Sequence, residues 1–139
     1  MSYNINNKDQ IFCQICFLGS TYVGKTSLLN RLISDKFNEN EITTCNPKYY
    51  EKKIETYNGN CLNVQFWDTA GQEKYRAITN MIYKKADIII LTYAINDKSS
   101  YEEIKNYWFN EVNNKSECQG KFYILIILKI KFSNWINRK

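Results

Sequence analysis

Short apolar runs alternate with segments of helical period along most of the chain. The run IFCQICFL, from Ile11 to Leu18, is mostly apolar and leads into a loop that contains glycine. Leucine and isoleucine then recur at positions 28, 29, 32 and 33, a spacing that predicts about three turns of helix. The pattern therefore predicts a buried strand, a loop and a helix at the start of the fold.

The middle of the chain predicts a hairpin. Residues 49–57 and 62–67 have the composition of strands, and Asn58-Gly59 stands between them. Asn-Gly flanked in this way is the strongest short-range hairpin signal. Residues 37–47, which precede the hairpin, have no clean period and include the only proline, so we expect an exposed connection there.

The second half predicts further helices and parallel strands. A short helix is expected to end near Lys85, and residues 86–95 are apolar without polar alternation, which is typical of a parallel strand covered on both faces. Ser99 and Glu102 have capping-box spacing, so we expect the next helix to begin at Ser99. Residues 121–128 are the last predicted strand. Helices alternating with strands, plus one hairpin, predict an α/β sheet that is mainly parallel with one antiparallel pair.

Length, charge and cysteine content narrow the class of protein. The 139 residues are enough for one domain. Four of the five net positive charges lie in the segment 129–139, and the rest of the chain is close to neutral, so we expect no nucleic-acid partner. The five cysteines and the absence of a signal core predict an intracellular protein with reduced thiols. Cys13 and Cys16 form a CxxC, but buried core thiols are a better interpretation than a metal site, because no second CxxC and no histidine accompany them.

The loop after the first strand has the pattern of a phosphate-binding loop. Its sequence, GSTYVGKT, matches GxxxxGKT and lies between a predicted strand and a predicted helix, which is the context that this motif requires. In such a loop the backbone N–H groups and the positive end of the helix hold polyphosphate, Lys25 adds a positive charge, and the Thr26 hydroxyl can bind Mg²⁺. The alternative, a glycine turn with a chance Lys-Thr, is disfavoured by the flanking elements. The motif predicts a nucleoside triphosphate ligand without identifying the base.

A second motif, WDTAGQE, follows the second strand of the hairpin. At the carboxyl end of a strand beside the first one, Asp68 can hold Mg²⁺ through water, and Gly71 allows a backbone N–H to approach the terminal phosphate. Gln72 can orient an attacking water and is the predicted catalytic residue. An ordinary turn with an aspartate cap would not require so specific a sequence.

With both motifs the sequence resembles the Ras superfamily of small GTPases, and the Rab family in particular. The resemblance runs from about Ile11 to Leu128 and includes FLGSTYVGKTSLLNRLISDKF, WDTAGQEKYR and YEEIKNYW. Rho proteins share WDTAGQE, but no Rho-type insert can be placed here. The resemblance implies a G domain of the P-loop NTPase fold that binds GTP or GDP with Mg²⁺. The implied nucleotide-binding residues are Gly19, Ser20, Thr21, Tyr22, Val23, Gly24, Lys25, Thr26, Ser27, Thr44, Asp68 and Gly71, with Thr26, Thr44 and Asp68 also at the metal.

The resemblance further implies a molecular switch in vesicle trafficking. Two loops would bind effectors in the GTP state, and an exchange factor and a GTPase-activating protein would act through the same loops. In the first of them the stretch is ITTCNPKYY, in which Cys45 to Pro47 replaces the sequence that usually follows the switch threonine. Thr44 is the best candidate for that threonine, one residue out of register, and Thr43 is the second candidate.

The family likeness fails near the carboxyl end. The strand ending at Leu128 runs into KIKF in place of the Asn-Lys-x-Asp loop that reads guanine, and Asn114-Lys115-Ser116-Glu117 precedes the strand, on the wrong side of the sheet for the base. We therefore expect a polar extension at 1–10, an incomplete G domain at 11–128 that is truncated after its fifth strand, and an unrelated basic tail at 129–139. Such an ending suggests a truncated or alternatively spliced product, or a mistaken gene model.

Three functions remain open at this point. The first is a Rab-like GTPase, which we expect to be monomeric and cytosolic, with no prenylation cysteine and hence no stable membrane anchor of its own. The second is a non-catalytic fragment that binds partner proteins without nucleotide. The third is a P-loop kinase or ATPase without guanine selectivity, against which DTAGQE argues strongly.

Overall fold

A computed structural model describes residues 11–38, 40–57, 59–72, 75–115 and 122–127. The segments 1–10 and 129–139 that the sequence analysis set apart lie outside these ranges. The described strands form one sheet and comprise β1 (Ile11–Leu18), β2 (Lys48–Glu55), β3 (Cys61–Asp68), β4 (Ile88–Ala94) and β5 (Phe122–Ile127). The helices are α1 (Lys25–Ser34), α2 (Arg76–Tyr83), α3 (Lys98–Glu103) and α4 (Phe109–Lys115), with a π-helical segment, Ile104–Trp108, between the last two.

The order of the strands in the sheet is β2-β3-β1-β4-β5. Strand β1 is parallel to both of its neighbours, β3 and β4, and β5 is parallel to β4. Strand β2 is antiparallel to β3, because the two are the arms of the hairpin around Gly59, whose φ is +75°. This arrangement confirms the prediction of a mainly parallel α/β sheet with one antiparallel pair.

The register of the sheet brings three strand ends together. Phe17 pairs with Asp68 on one side of β1, and Leu18 pairs with Leu91 on the other. Because parallel strands end at the same edge of a sheet, the loop after β1 lies beside the last residue of β3 and beside Thr92 of β4. Ligands of open α/β sheets bind at this edge.

The two faces of the sheet are covered by different helices. On the side of α1, Phe17, Leu29, Val64 and Phe66 form one buried cluster. On the side of α2 and α3, the larger cluster of buried residues is Cys16, Leu18, Tyr83, Ala86, Ile89, Leu91, Ile104, Trp108 and Val112. Neighbouring residues of β1 alternate between these clusters, as the period of a strand requires. Ile104 and Trp108 of the π-helical segment and Val112 of α4 thus pack on this face, with Tyr107 at the margin of the cluster.

The start of α3 corrects one sequence prediction. The N-cap is Asp97, whose carboxylate accepts hydrogen bonds from the backbone N–H groups of Ser99 and Ser100. The capping box predicted at Ser99 and Glu102 is therefore wrong by two residues. An aspartate that precedes the serine satisfies the same unpaired N–H groups, so Ser99 lies inside the helix. Within the described part of the chain, no helix is both long and apolar enough to cross a bilayer.

Candidate functional site

The phosphate-binding loop is held close to β4. Gly19 has φ +141°, and a Cβ at this position would lie 2.0 Å from the Thr92 carbonyl oxygen. Only glycine fits such an approach, so the sequence places the loop against the neighbouring strand. Gly24 adopts a left-handed conformation, with φ +98°, and is the N-cap from which α1 begins. The two motif glycines thus fix the two ends of the loop.

Lys25 folds back into the loop. Its ammonium donates to the carbonyl oxygens of Gly19, at 2.8 Å, and Ser20, at 2.7 Å, and the side chain is buried. Burial lowers the pKa of Lys25 to about 8, and the carboxylates of Asp68 and Glu103 oppose that change. A buried, partly desolvated cation at the start of a helix is an electrostatic partner for phosphate.

Thr26, Thr44 and Asp68 meet at the start of α1. The Thr26 hydroxyl donates to Asp68 Oδ2 at 2.6 Å and lies 2.7 Å from the Thr44 hydroxyl oxygen. The Thr44 hydroxyl also lies 3.4 Å from Asp68 Oδ2. The structure thus brings together the three residues that the sequence analysis assigned to the metal. Thr43 has no part in this cluster, and its carbonyl oxygen accepts from the Cys45 thiol.

This cluster has the chemistry of a Mg²⁺ site. Asp68 is fully buried, and its Oδ1 atom lacks a hydrogen-bond partner among the described residues. Burial raises the pKa of the Asp68 carboxyl, while the hydrogen bond from Thr26 and the charge of Lys25 act in the opposite direction. A buried carboxylate oxygen without a partner is costly, and two hydroxyls and a carboxylate are the oxygen donors that Mg²⁺ prefers. The residues present therefore fit the cation.

The start of the WDTAGQE motif is anchored to the first strand. The Thr69 hydroxyl donates to the Phe17 carbonyl oxygen at 2.6 Å. Gly71 lies directly on the phosphate-binding loop, because a Cβ there would meet the Ser20 carbonyl carbon and the Thr21 nitrogen, each at 2.4 Å. Gln72 follows, half-buried, and its carbonyl oxygen accepts from the Tyr75 backbone N–H. Gly71 therefore lies in close contact with the phosphate-binding loop.

The remaining predicted residues lie in or beside the loop. Val23 is buried, Thr21 and Ser27 are half-buried, and Tyr22 is exposed by 67%. Tyr22 has φ +63°, which is uncommon for a residue with a side chain and which the motif alone does not predict. Asn114 and Lys115 end α4, and Ser116 and Glu117 lie outside the described residues.

One contact of the loop was not predicted from the sequence. The Ser20 hydroxyl donates to Glu103 Oε2 at 2.5 Å, and Arg76 forms an ion pair with Glu103 Oε1 at 3.0 Å. These residues belong to the loop, to α2 and to α3, far apart in sequence. The Arg76 guanidinium also lies over the Tyr107 ring, 3.8 Å from its centroid. The only hint in the sequence is that WDTAGQEKYR includes an arginine after the glutamine.

The comparisons with known proteins agree with this geometry. A sequence profile described as Ras family matches residues 14–134. The chain belongs to the Ras family. This Ras-family chain is 38% identical to Ras-related protein SEC4 of Saccharomyces cerevisiae over 112 residues, which are 81% of this chain and 51% of that protein. These matches confirm the resemblance to small GTPases.

Further relatives support the Rab assignment. Ras-related protein Rab-21 of Bos taurus is 38% identical over 99 residues, 71% of this chain and 44% of that protein. A protein named probable Rab-related GTPase, from Acanthamoeba polyphaga mimivirus, is 30% identical over 125 residues, 88% of this chain and 57% of that protein. This Rab-family chain thus spans about half the length of the curated relatives it matches.

Proposed function

We propose that this chain binds a nucleoside di- or triphosphate with Mg²⁺ and hydrolyses the triphosphate, as a Rab-type GTPase. The observation that carries the proposal is the meeting of Thr26, Thr44 and Asp68 at the carboxyl edge of the sheet, next to the loop into which Lys25 folds. In this proposal the cation and the loop N–H groups bind the phosphates. The buried carboxylate and the two hydroxyls hold the metal.

Gln72 is the proposed catalytic residue. Its backbone follows Gly71, which lies against the phosphate-binding loop, so the glutamine is close to where the terminal phosphate would be bound. A glutamine in that position orients the attacking water in Ras-type enzymes. A bound Mg²⁺ would neutralise charge on the phosphates. The protein would position the reactants and would form no covalent bond with them.

Partner proteins are proposed to dock on both sides of the site. On one side Ile42 is exposed by 83% and Tyr49 is exposed; on the other, Ile78 and Met81 of α2 are exposed. Exposed apolar side chains that flank a site are suited to a protein interface. Effectors, an exchange factor and a GTPase-activating protein would contact these surfaces, and the resemblance to Rab proteins implies a role in vesicle trafficking.

Nucleotide binding by the purified 139-residue chain is the decisive experiment. Fluorescent GDP and ADP analogues are titrated with and without Mg²⁺, and any nucleotide that copurifies is extracted and identified. We expect binding that is tighter with Mg²⁺, and an Asp68→Asn variant that loses this Mg²⁺ dependence. An Asp87→Asn variant controls for the loss of one carboxylate outside the site.

The outcomes separate the functions that remained open. Mg²⁺-dependent binding that prefers GDP supports a GTPase. Equal binding of both nucleotides supports phosphate recognition without guanine selection. No binding of either nucleotide contradicts the proposal and favours a non-catalytic module that binds partner proteins.

A further inference from the structure

Glu103 joins the phosphate-binding loop to helix α2. One carboxylate oxygen accepts from the Ser20 hydroxyl at 2.5 Å, and the other accepts from the Arg76 guanidinium at 3.0 Å. Each oxygen thus has its own donor, one from the loop and one from the first residue of α2. Because α3 supplies the carboxylate, a single side chain connects three elements of the fold.

The carboxylate lies where its charge acts on the phosphate-binding loop. The Ser20 residue that donates to Glu103 also accepts, through its carbonyl oxygen, the ammonium of Lys25 at 2.7 Å. The negative charge of Glu103 acts on Lys25, since it opposes the lowering of the lysine pKa by burial. A carboxylate this close to an anion site has the same sign of charge as the ligand and would repel it.

Arg76 offsets that repulsion in the structure. The side chains of Arg76 and Glu103 are exposed by 33% and 25%, respectively, so the pair is partly shielded from water. The guanidinium also stacks on the face of the Tyr107 ring. With the pair formed, the loop has a nearly neutral neighbour; without it, the loop faces an uncompensated negative charge.

The two partners of Glu103 differ in how firmly they are placed. Ser20 is in a loop fixed by its glycines, whereas Arg76 begins α2, directly after the segment that contains Gly71 and Gln72. A protein that displaces the start of α2 would therefore separate Arg76 from Glu103 and leave Ser20 in place.

We propose that Glu103 is a charge switch for nucleotide release. Paired with Arg76, it orients Ser20 and is neutralised. Separated from Arg76, it repels the bound phosphates and speeds their departure. This inference rests on the proposed binding of nucleotide, and it makes Glu103 a positioning residue that acts through Ser20 and Arg76. An exchange factor would use it by moving α2.

The experiment compares four forms of the chain: wild type, Arg76→Met, Glu103→Gln and the double variant. Methionine removes the charge while leaving an unbranched side chain that can cover the Tyr107 ring, and glutamine keeps an acceptor for Ser20. The affinity for inorganic tripolyphosphate and the release rate of a fluorescent GDP analogue are measured at low and high salt. Arg31→Met and Glu102→Gln are matched controls, because they remove the same charges from an exposed pair on α1 and from the neighbouring residue of α3.

The proposal requires opposite effects of the two single variants. Arg76→Met should weaken tripolyphosphate binding and speed GDP release by about tenfold, and Glu103→Gln should strengthen binding by about threefold, as expected for unit charges a few ångströms apart near a protein surface. The double variant should return close to wild type, and all differences should shrink at high salt.

A different result is expected if Glu103 only holds the loop in place and its charge has no effect on the ligand. If both single variants weaken binding and the double variant is no better, Glu103 holds the loop in place only, and the charge switch is wrong while nucleotide binding stands. If the wild-type chain binds neither tripolyphosphate nor GDP, the proposed function itself is wrong, and the charge switch is rejected with it.

Discussion

The phosphate-binding loop and the connection that contains Thr44 meet at the same cluster, but the fold holds them in different ways. The loop is fixed by two glycines with positive φ, by the contact of Gly19 with Thr92 and by the buried side chain of Lys25. In the connection, Thr44 is exposed by only 9%, while its neighbour Ile42 is exposed by 83%. The loop is held at both ends and by its lysine, whereas the described polar contacts that hold the connection to the rest of the fold are those of the Thr44 hydroxyl and the hydrogen bond that Glu41 accepts from Asn30.

This difference explains how one site can combine a fixed part and a responsive part. A loop pinned at both ends keeps its N–H groups oriented, which is the preorganisation that phosphate binding needs. A segment anchored by a few polar contacts has a small free energy of local opening. We therefore expect ligand binding to change the connection around Thr44 more than it changes the loop.

The largest expected effect is that of Lys25→Met. Replacement should lower the affinity for tripolyphosphate and for GDP by about 100-fold, because it removes a charge-assisted contact to phosphate. The ligand-free chain should be no less stable, since the buried ammonium already has a lowered pKa and its desolvation is a cost. Titration and urea unfolding measure the two quantities. The exposed Lys36, changed to Met, is the control for loss of one positive charge.

A loss of stability in Lys25→Met would contradict this account. It would mean that the hydrogen bonds from Lys25 to the carbonyl oxygens of Gly19 and Ser20 stabilise the loop by more than burial of the ammonium costs. The loop would then depend on its cation for its shape as well as for its ligand.

The second effect concerns the contact between the WDTAGQE motif and the loop. Gly71→Ala should reduce the free energy of unfolding by about 1–3 kcal/mol, because the new Cβ would meet loop backbone atoms at 2.4 Å. Gly59→Ala is the matched variant, since no atom lies within 4 Å of its Cβ and only its positive φ opposes the change. Urea unfolding should show the larger loss at Gly71; equal losses would mean that the contact relaxes without cost.

The parts of the site that the sequence predicted are those encoded by contiguous residues. Lys25 and Thr26 follow from GxxxxGKT at the junction of a strand and a helix. Asp68 follows because the strand it ends was expected beside β1. In each case a local pattern and the parallel sheet are sufficient to place the residue at the carboxyl edge.

The parts that the sequence did not predict depend on contacts between distant segments. Glu103 lies 83 residues from Ser20 and 27 residues from Arg76, and no periodicity brings them together. Counting favoured Thr44 over Thr43 but left it one residue out of register, because the connection has no regular secondary structure to fix the spacing. The start of α3 was misplaced because Asp97 and Ser99 are both good caps, and only the structure shows which one accepts the N–H groups.

A third variant pair addresses that ambiguity of register. Mg²⁺ should increase the nucleotide affinity of Thr44→Val by a factor about tenfold smaller than in the wild type, because the variant lacks the hydroxyl that lies 2.7 Å from Thr26 Oγ1. Thr43→Val should change it by less than about twofold. Nucleotide titration across a range of Mg²⁺ concentrations measures both. The reverse result would assign the metal contact to Thr43 and show that the connection changes register when the ligand binds.

The smallest predicted effect is a pH dependence of anion binding that originates in Lys25. In the ligand-free chain, burial lowers the pKa of Lys25 to about 8, and bound phosphates must raise it again. Well below pH 8 the lysine is charged in both states and the affinity is close to its full value. Above that pH a proton must be taken up on binding, so the affinity falls, by about fourfold between pH 7 and pH 8.5. Tripolyphosphate titrated without Mg²⁺ isolates this effect from the base and the metal. The affinity of the Lys25→Met variant should not decline in this way, because the variant has no lysine at position 25 to take up the proton. A decline of equal size in both proteins would assign the proton to another group.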